Sequence, residues 1–254
     1  MDKEQITPEK KAAIINDRFP KAAKYDPEWQ LENEMGSPCL WLAEAVCEKM
    51  NLKPGMKVLD LGCGRAMSSI FLAKEYGVKV FATDLWVKAG ENLERAREAN
   101  VEDLVFPMHA EAHALPYADG FFDAAICINS YQFFGTADTY FNDHLGRLVK
   151  PNGEIGFALP GIFKEFDDLA PDYLKEHWWS DFYYFHSLDW WKRHFRRCGA
   201  VDVILADDYD SYGSRMMPLW EAIPDRMRMI RTDNGRNFCW YRIIAKTKTG
   251  GTCA

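Results

Sequence analysis

Two acids and two glycines hold the chemistry that stands out in this sequence. Val58-Leu59-Asp60-Leu61-Gly62-Cys63-Gly64-Arg65-Ala66 is an apolar run that ends in an acid and two closely spaced glycines. A helical stretch follows, and then a second apolar run, Val78-Lys79-Val80-Phe81-Ala82-Thr83. It ends in Asp84, twenty residues after Gly64. This is the pattern of a β-loop-α-β unit that holds a nucleoside. Glycines let the backbone approach a ligand with no Cβ in the way. An acid closing the second strand is placed to accept both ribose hydroxyls.

Two classes of nucleoside cofactor compete for such a loop. A dinucleotide fingerprint wants a third glycine for tight helix–strand packing, and counting from Gly62 that position is Met67. A pyrophosphate also gains nothing from an anion just before the first glycine, where Asp60 stands. S-adenosylmethionine (SAM) carries a sulfonium and an α-ammonium, so a carboxylate there is sensible. The residues favour SAM over NAD. The rival readings are an NAD-dependent oxidoreductase, a non-catalytic sensor that holds SAM or S-adenosylhomocysteine, and a nucleotide-free α/β loop. The last requires Asp60, both glycines and Asp84 to coincide by chance.

VLDLGCGRA, FATD, AEAHALPYADGFFDAAICIN and LVKPNGEIGFALP together resemble a class I SAM-dependent methyltransferase. The resemblance is to its small-molecule branch, with ubiquinone/menaquinone-type and sterol-type relatives. It covers Leu52 to Pro160 well and the rest weakly. One departure is visible: many relatives have a third glycine where this chain has Ala66. The resemblance implies an α/β, doubly wound (Rossmann-like), seven-stranded, mostly parallel sheet whose last strand pairs antiparallel at the edge. It also implies that the acid at Glu111 accepts from the adenine amino group and that Ala112 offers its N–H to the ring.

The elements that must position these residues are legible from apolar periodicity and turn residues. Residues 38–50 read as an amphipathic helix. Lys57–Leu61 is strand one, Met67–Tyr76 a helix stopped by Gly77, and Lys79–Thr83 strand two. Ala89–Ala99 is a helix, Val105–Met108 strand three, and Phe122–Ile128 a strand apolar enough to be covered on both faces. Asp138–Val149 reads as a helix with Asp138 as N-cap. Lys150-Pro151-Asn152-Gly153 is a turn before strand five, Glu154–Ala158. Ser187–Cys198 is a helix, Val201–Ala206 strand six, and Asn237–Lys246 the last strand. Alternating strands and helices give a doubly wound sheet. The chain reads as one domain over 1–254: a helical arm or lid over 1–50, a cofactor-binding core over 51–160, and cap insertions over 161–186 and 208–235.

Ligands of an open α/β sheet bind at the C-terminal ends of the strands. That criterion selects Gly62, Cys63 and Gly64 for the methionine part of SAM and Asp84 for the ribose. Leu85 or Trp86 is placed to pack on the adenine, with core filling as the other reading for Trp86. Asn129 ends strand four beside the expected methyl group. Ser130, Tyr131 and then Gln132-Phe133-Phe134-Gly135 follow, with side chains expected to face the methyl group or the acceptor; Tyr131 either orients an acceptor, surrounds the sulfonium with its ring, or packs. His109 and His113 lie on the adenine side. Residues 162–186 hold nine aromatic residues and end at His186, the best general-base candidate. Methyl transfer from a sulfonium needs alignment, dryness and sometimes proton removal, so no fixed triad is expected. The aromatic wall suits an apolar, planar or cationic small molecule. Tyr25 and Trp29 of the N-terminal arm are candidates for a lid over the cofactor.

Composition narrows the partners. A net charge of −7 over 254 residues argues against a nucleic-acid substrate, which calls for a basic face. The basic run Lys192-Arg193-His194-Phe195-Arg196-Arg197 reads as a solvated helix face. Seven cysteines without CxxC spacing make a zinc site or a disulfide framework unexpected, and no metal ligand set is expected. The charged start, Met1-Asp2-Lys3-Glu4-Gln5, has no apolar signal region, and no window approaches a membrane span. A cytoplasmic enzyme with a small-molecule acceptor, no membrane partner and a homodimer as a candidate assembly is the expectation.

Overall fold

The computed structural model describes residues 6–166, 170–178, 180–208 and 228–248. Trp179 and most of the expected insertion at 208–235 lie outside the described residues. Three helices open the chain: α1 (Pro8–Ala13), α2 (Pro27–Asn33) and α3 (Cys39–Cys47). Then come β1 (Lys57–Leu61), α4 (Met67–Tyr76), β2 (Lys79–Asp84), α5 (Ala89–Glu98), β3 (Val105–His109) and β4 (Phe122–Ile128). The second half carries β5 (Val149–Ile162), α6 (Leu188–Cys198), β6 (Val201–Asp208), α7 (Arg228–Asp233) and β7 (Phe238–Thr247).

The strands form one sheet in the order β3-β2-β1-β4-β5-β7-β6. β1 pairs in parallel with β2 and with β4, and β4 with β5. The order reverses at β1, so the crevice outside the C-terminal ends of β1 and β4 is the ligand-binding switch point. The last strand is antiparallel, as expected, but it is not at the edge. β7 lies between β5 and β6, antiparallel to both, and β6 is the edge strand. Burial agrees with that position, since β7 is buried along almost its whole length while β6 alternates with exposed residues.

Side chains alternate between two apolar layers, as the pleat requires. Val58, Val80, Ala124, Ile126 and Ile128 meet Ile70, Phe71 and Leu72 of α4 and Leu40, Trp41 and Val46 of α3. Leu59, Leu61, Ala125, Cys127 and Phe157 face the other layer, with Trp191 and Phe195 of α6. Phe122 breaks the alternation of β4 because the register with β5 shifts between Phe122 and Ala124, as a bulge does. Gly77 ends α4 in the left-handed region at φ 64°, and Ser187 caps α6 by accepting from the Trp190 N–H at 3.2 Å.

Three local expectations are corrected. The expected helix over Asp138–Val149 is a π-helical turn, Phe141–Leu145, followed by a 3₁₀ turn, Gly146–Leu148. Asp138 does not cap it, because its carboxylate accepts a two-pronged pair from Arg197 Nε (3.1 Å) and Nη2 (2.7 Å). The turn at Lys150–Gly153 sits inside a longer β5, with Asn152 at φ 63°. The basic run behaves as expected: Arg193, Arg196 and Arg197 face solvent while His194 and Phe195 are buried. No helix among the described residues is long and apolar enough to cross a membrane. The six described cysteines are free thiols.

Candidate functional site

The alternation that turns Leu59 and Leu61 to one layer turns Asp60 to the other, under the start of α4. Asp60 is fully buried. Its Oδ2 accepts from Ser68 Oγ and Ser69 Oγ, both at 2.6 Å, and its Oδ1 has no partner. Burial pushes its pKa up to about 6, against the two serine hydroxyls and together with the charge of Asp84. A buried carboxylate with a free oxygen is costly unless something positive comes to it.

The loop after β1 is tied to the end of β2. Gly62 N–H and Cys63 N–H both donate to the Thr83 carbonyl, at 2.8 and 3.2 Å. Gly64 N–H donates to Asp84 Oδ2 at 2.8 Å, and Asp84 Oδ1 accepts from Trp86 N–H (2.7 Å) and Val87 N–H (2.9 Å). Asn92 of α5 reaches back to the Gly64 carbonyl at 2.9 Å. Asp84 therefore organises the loop as well as facing the crevice. Gly62 stands at φ 74°, and a Cβ built on it would come 2.4 Å from Ser130 Cβ. Ala66 adopts φ 58° ahead of α4, so an L-residue accepts the left-handed conformation where many relatives have glycine.

Strand four ends in the same crevice. Asn129 has φ 52°, a strained value that gathers at functional sites. Ser130 Oγ donates to the Leu61 carbonyl at 2.7 Å and fastens this corner to β1. Leu85 and Trp86 are exposed, so either can receive an adenine ring. Ala112 is buried and its carbonyl accepts from Tyr140 O–H at 3.1 Å. Glu111 turns its carboxylate onto His113, accepting from the backbone N–H at 2.8 Å and lying 2.7 Å from Nδ1. The bond to His113 holds its pKa below the usual range. His109 Nε2 lies 2.8 Å from the Leu85 carbonyl, which makes it a brace for this loop.

The residues expected on the acceptor side separate. Tyr131 is fully buried among Phe157, Trp191 and Phe195, at centroid distances of 4.6, 5.8 and 6.0 Å. These are core contacts, so the geometry carries the packing role rather than the acceptor-orienting one. His186 lies beside the C-terminal end of β5, where its backbone bridges Gly161. Its ring stacks on Trp190 at 3.8 Å and 8°, and Nδ1 lies 3.1 Å from Glu165 Oε2. Glu165 Oε1 accepts from the Ser187 N–H at 2.6 Å. Burial raises the Glu165 pKa, but the bonds to His186 and Ser187 prevail and hold it at about 2. A carboxylate on Nδ1 leaves Nε2 as the ring's free nitrogen. Tyr25 and Trp29 are not over the glycine loop. Their rings pair with each other and Tyr25 packs on Phe71 of α4, flanking a groove of about 510 Å³ that also includes Lys74, Glu75, Glu98 and Ala99. The arm reaches the loop through Met35, whose Sδ would lie 2.9 Å from a Cβ on Gly64.

Glu165 and Met35 border this site, and no spacing rule pointed to them; Gln132, expected with its neighbours to face the methyl group or the acceptor, is fully buried with its amide on Asn129 Oδ1. Among the described residues, no group of three or more metal-ligating side chains could hold an ion. The donors around Asp60 and Asp84 are hydroxyls and backbone amides, none of them charged. Together with the Asp60 oxygen that lacks a partner and the two-glycine cradle, this fits a cationic nucleoside such as SAM and does not fit a pyrophosphate.

Comparison with known proteins agrees. Residues 58–153 match the family profile described as "Methyltransferase domain". A stretch of 174 residues is 30% identical to the demethylmenaquinone methyltransferase of Corynebacterium efficiens, covering 65% of this chain and 70% of that protein. Methyltransferase GfsG of Streptomyces halstedii is 30% identical over 130 residues, 51% of this chain. The chain spans under half the length of several curated relatives, 46% in the case of GfsG and as little as 20% in another. The geranyl diphosphate C-methyltransferase of Streptomyces coelicolor A3(2), solved with Mg²⁺, geranyl diphosphate and S-adenosyl-L-homocysteine, superposes with a TM-score of 0.69. It does so at 16% identity over 91% of this chain and 85% of that one, which establishes the fold. By its sheet order, its glycine loop and these matches, the chain belongs to the class I SAM-dependent methyltransferases.

Proposed function

We propose that this chain transfers a methyl group from SAM to a small-molecule acceptor. The observation that carries the reading is the pair of carboxylates, Asp60 and Asp84, at neighbouring strand ends with only uncharged donors around them. SAM supplies an electrophilic methyl on a sulfonium, so the protein's task is alignment and exclusion of water. Asp60 would balance the cofactor's positive charge, and Gly62, Cys63 and Gly64 would line its methionine part with backbone. Asp84 would accept from the ribose, and Leu85, Glu111 and Ala112 would flank the adenine. Asn129, at the end of β4, would lie nearest the methyl group.

His186 is the candidate for proton removal. Glu165 on Nδ1 fixes the ring's orientation, the arrangement by which a carboxylate supports a histidine base. The aromatic cap from which His186 comes would keep water out. The test is release of S-adenosylhomocysteine from SAM across a panel of metabolite acceptors, beside calorimetry with SAM, S-adenosylhomocysteine and NADH. Acceptor-dependent release supports the enzyme. Tight SAM binding with no release under any acceptor supports a sensor, and NADH binding tighter than SAM overturns both.

A further inference from the structure

With Leu85 rather than Trp86 given to the adenine, two features at the C-terminal edge of the sheet are left over from the cofactor. The first is a strip of bare rings. Trp86, directly after β2, is 72% exposed, a high value for the largest side chain. Its ring lies 6.3 Å from Phe133, in the 3₁₀ turn after β4, and Phe133 lies 5.7 Å from Tyr184 of the cap. Phe133 and Tyr184 are also exposed. Three elements distant in sequence thus converge on one open aromatic surface, and contiguous exposed apolar patches mark ligand-binding ground.

The second feature is an orphan acceptor. Gln132 is fully buried; its Nε2 donates to Asn129 Oδ1 at 3.0 Å, and its Oε1 has no partner. A buried carbonyl oxygen without a donor is costly to the fold. This one stands between Asn129, at the end of β4, and Phe133 of the strip. Ser130, two residues before Gln132, is fastened to β1 beside the glycine loop. The turn that carries the orphan oxygen therefore runs from the cofactor loop to the rings.

Resting on the methyltransferase reading above, we infer that the acceptor is a flat apolar molecule with an O–H or N–H beside its reacting end. Its apolar body lies along Trp86, Phe133 and Tyr184, and its donor bonds to Gln132 Oε1. An apolar strip ending in one polar acceptor matches the usual make-up of a small-molecule site, in which a few placed polar groups fix orientation. A site built to hydrogen-bond a donor also discriminates against the analogue that lacks it. The acceptor class this selects is a phenol or aromatic amine rather than a fully substituted ammonium, which has no donor to give.

The test uses β-naphthol and its methyl ether as probes on the full chain saturated with S-adenosylhomocysteine, with binding read by tryptophan fluorescence and calorimetry. The naphthol should bind about tenfold more tightly than the ether, the worth of one hydrogen bond in a dry site. Gln132→Met should bring the ratio close to one while the ether still binds. Trp86→Ala, on the open rim, should weaken both probes by the same factor and leave the ratio intact. A ratio near one in the wild type, a ratio that survives Gln132→Met, or no saturation by either probe below millimolar concentration overturns the inference. So does co-sedimentation with phosphatidylcholine vesicles that Trp86→Ala abolishes, since the strip would then be a lipid-docking surface. Should Gln132→Met fail to fold, the wild-type ratio and Trp86→Ala decide. Failure of S-adenosylhomocysteine to bind counts against the cofactor reading alone, because the probe ratio can still be measured on the free protein.

Discussion

Asp60→Asn separates a carboxylate kept for a cation from one kept for structure. The side chain is fully buried and its pKa stands at about 6 instead of 3.8, chiefly because burial disfavours the charge. At about 1.4 kcal/mol per pH unit, that rise sets the ionised fold back by about 3 kcal/mol. The direction in pH follows from the proton count. Between pH 3.8 and about 6 the folded chain holds a proton that the unfolded chain has released. Stability from this group therefore falls as pH rises through that window and is flat above it. Asparagine does not titrate. It keeps an oxygen for Ser68 and Ser69 and places an amide where Oδ1 now lacks a partner, so one unsatisfied atom replaces another.

The variant should thus gain on the wild type by about 2–3 kcal/mol between pH 4.5 and 7.5, read from urea unfolding of the ligand-free protein. The difference between the two proteins cancels every other titrating group. Cofactor affinity should move the opposite way. At pH 7.5 the variant should bind SAM about 10–100-fold more weakly, the range for losing a hydrogen bond to a charged group. At pH 5, where only about a tenth of the wild-type carboxyl is ionised, the gap should narrow to about 2–10-fold. A stability difference that does not vary with pH, or equal SAM affinity at pH 7.5, would refute the argument that Asp60 is held for a cation.

Three further outcomes are expected. Asp84→Ala should weaken SAM binding by at least about 1.5–3 kcal/mol. It should also lower the melting temperature, because the N–H groups of Gly64, Trp86 and Val87 lose their acceptor; unchanged affinity in calorimetry would remove Asp84 from the ribose site. Tyr131→Phe should leave kcat within about twofold and stability unchanged or slightly raised, since the buried hydroxyl has no partner to lose; a tenfold fall in kcat would restore an acceptor-orienting role. His186→Ala should lower kcat about 10²–10⁴-fold while sparing SAM affinity, and Glu165→Gln should lower kcat in the same direction by releasing the ring; a loss of melting temperature with kcat retained would make the pair a structural brace.

The central strands and the cofactor loop were readable because their determinants are local. β1, α4 and β4 begin and end where periodicity and the flanking Gly, Asp and Asn put them. A parallel sheet buried on both faces leaves little freedom to its middle strands. The place of β7 was not readable. Whether a last strand joins an edge or inserts beside β5 depends on pairing with elements far back in the chain, and its own apolar run fits both. The Asp138 helix was misread for a related reason, since its supposed cap is claimed by Arg197, 59 residues on. Tyr131 carried the residue type of an acceptor contact, but the 3₁₀ turn after β4 sets its ring into the layer under α6. Glu165 and Met35 meet partners reached only in three dimensions, and no spacing rule marks them.

That division has a chemical cause. The cofactor side is built from main chain: two glycines, the amides that Asp84 organises, and strand ends fixed by the sheet. Main-chain recognition demands particular backbone conformations, and those demand Gly, Asp and Asn at set positions, so the sequence displays them. The acceptor side proposed here would be built from side chains on a cap and on the first turns after β2 and β4. There Trp86, Phe133, Tyr184, Gln132 and His186 can be exchanged without disturbing the sheet that carries them. Catalysis by alignment asks only that the two sides hold donor and acceptor in line. The binding of a flat donor-bearing probe, measured against its methyl ether, is therefore the most direct reading of what this particular chain methylates.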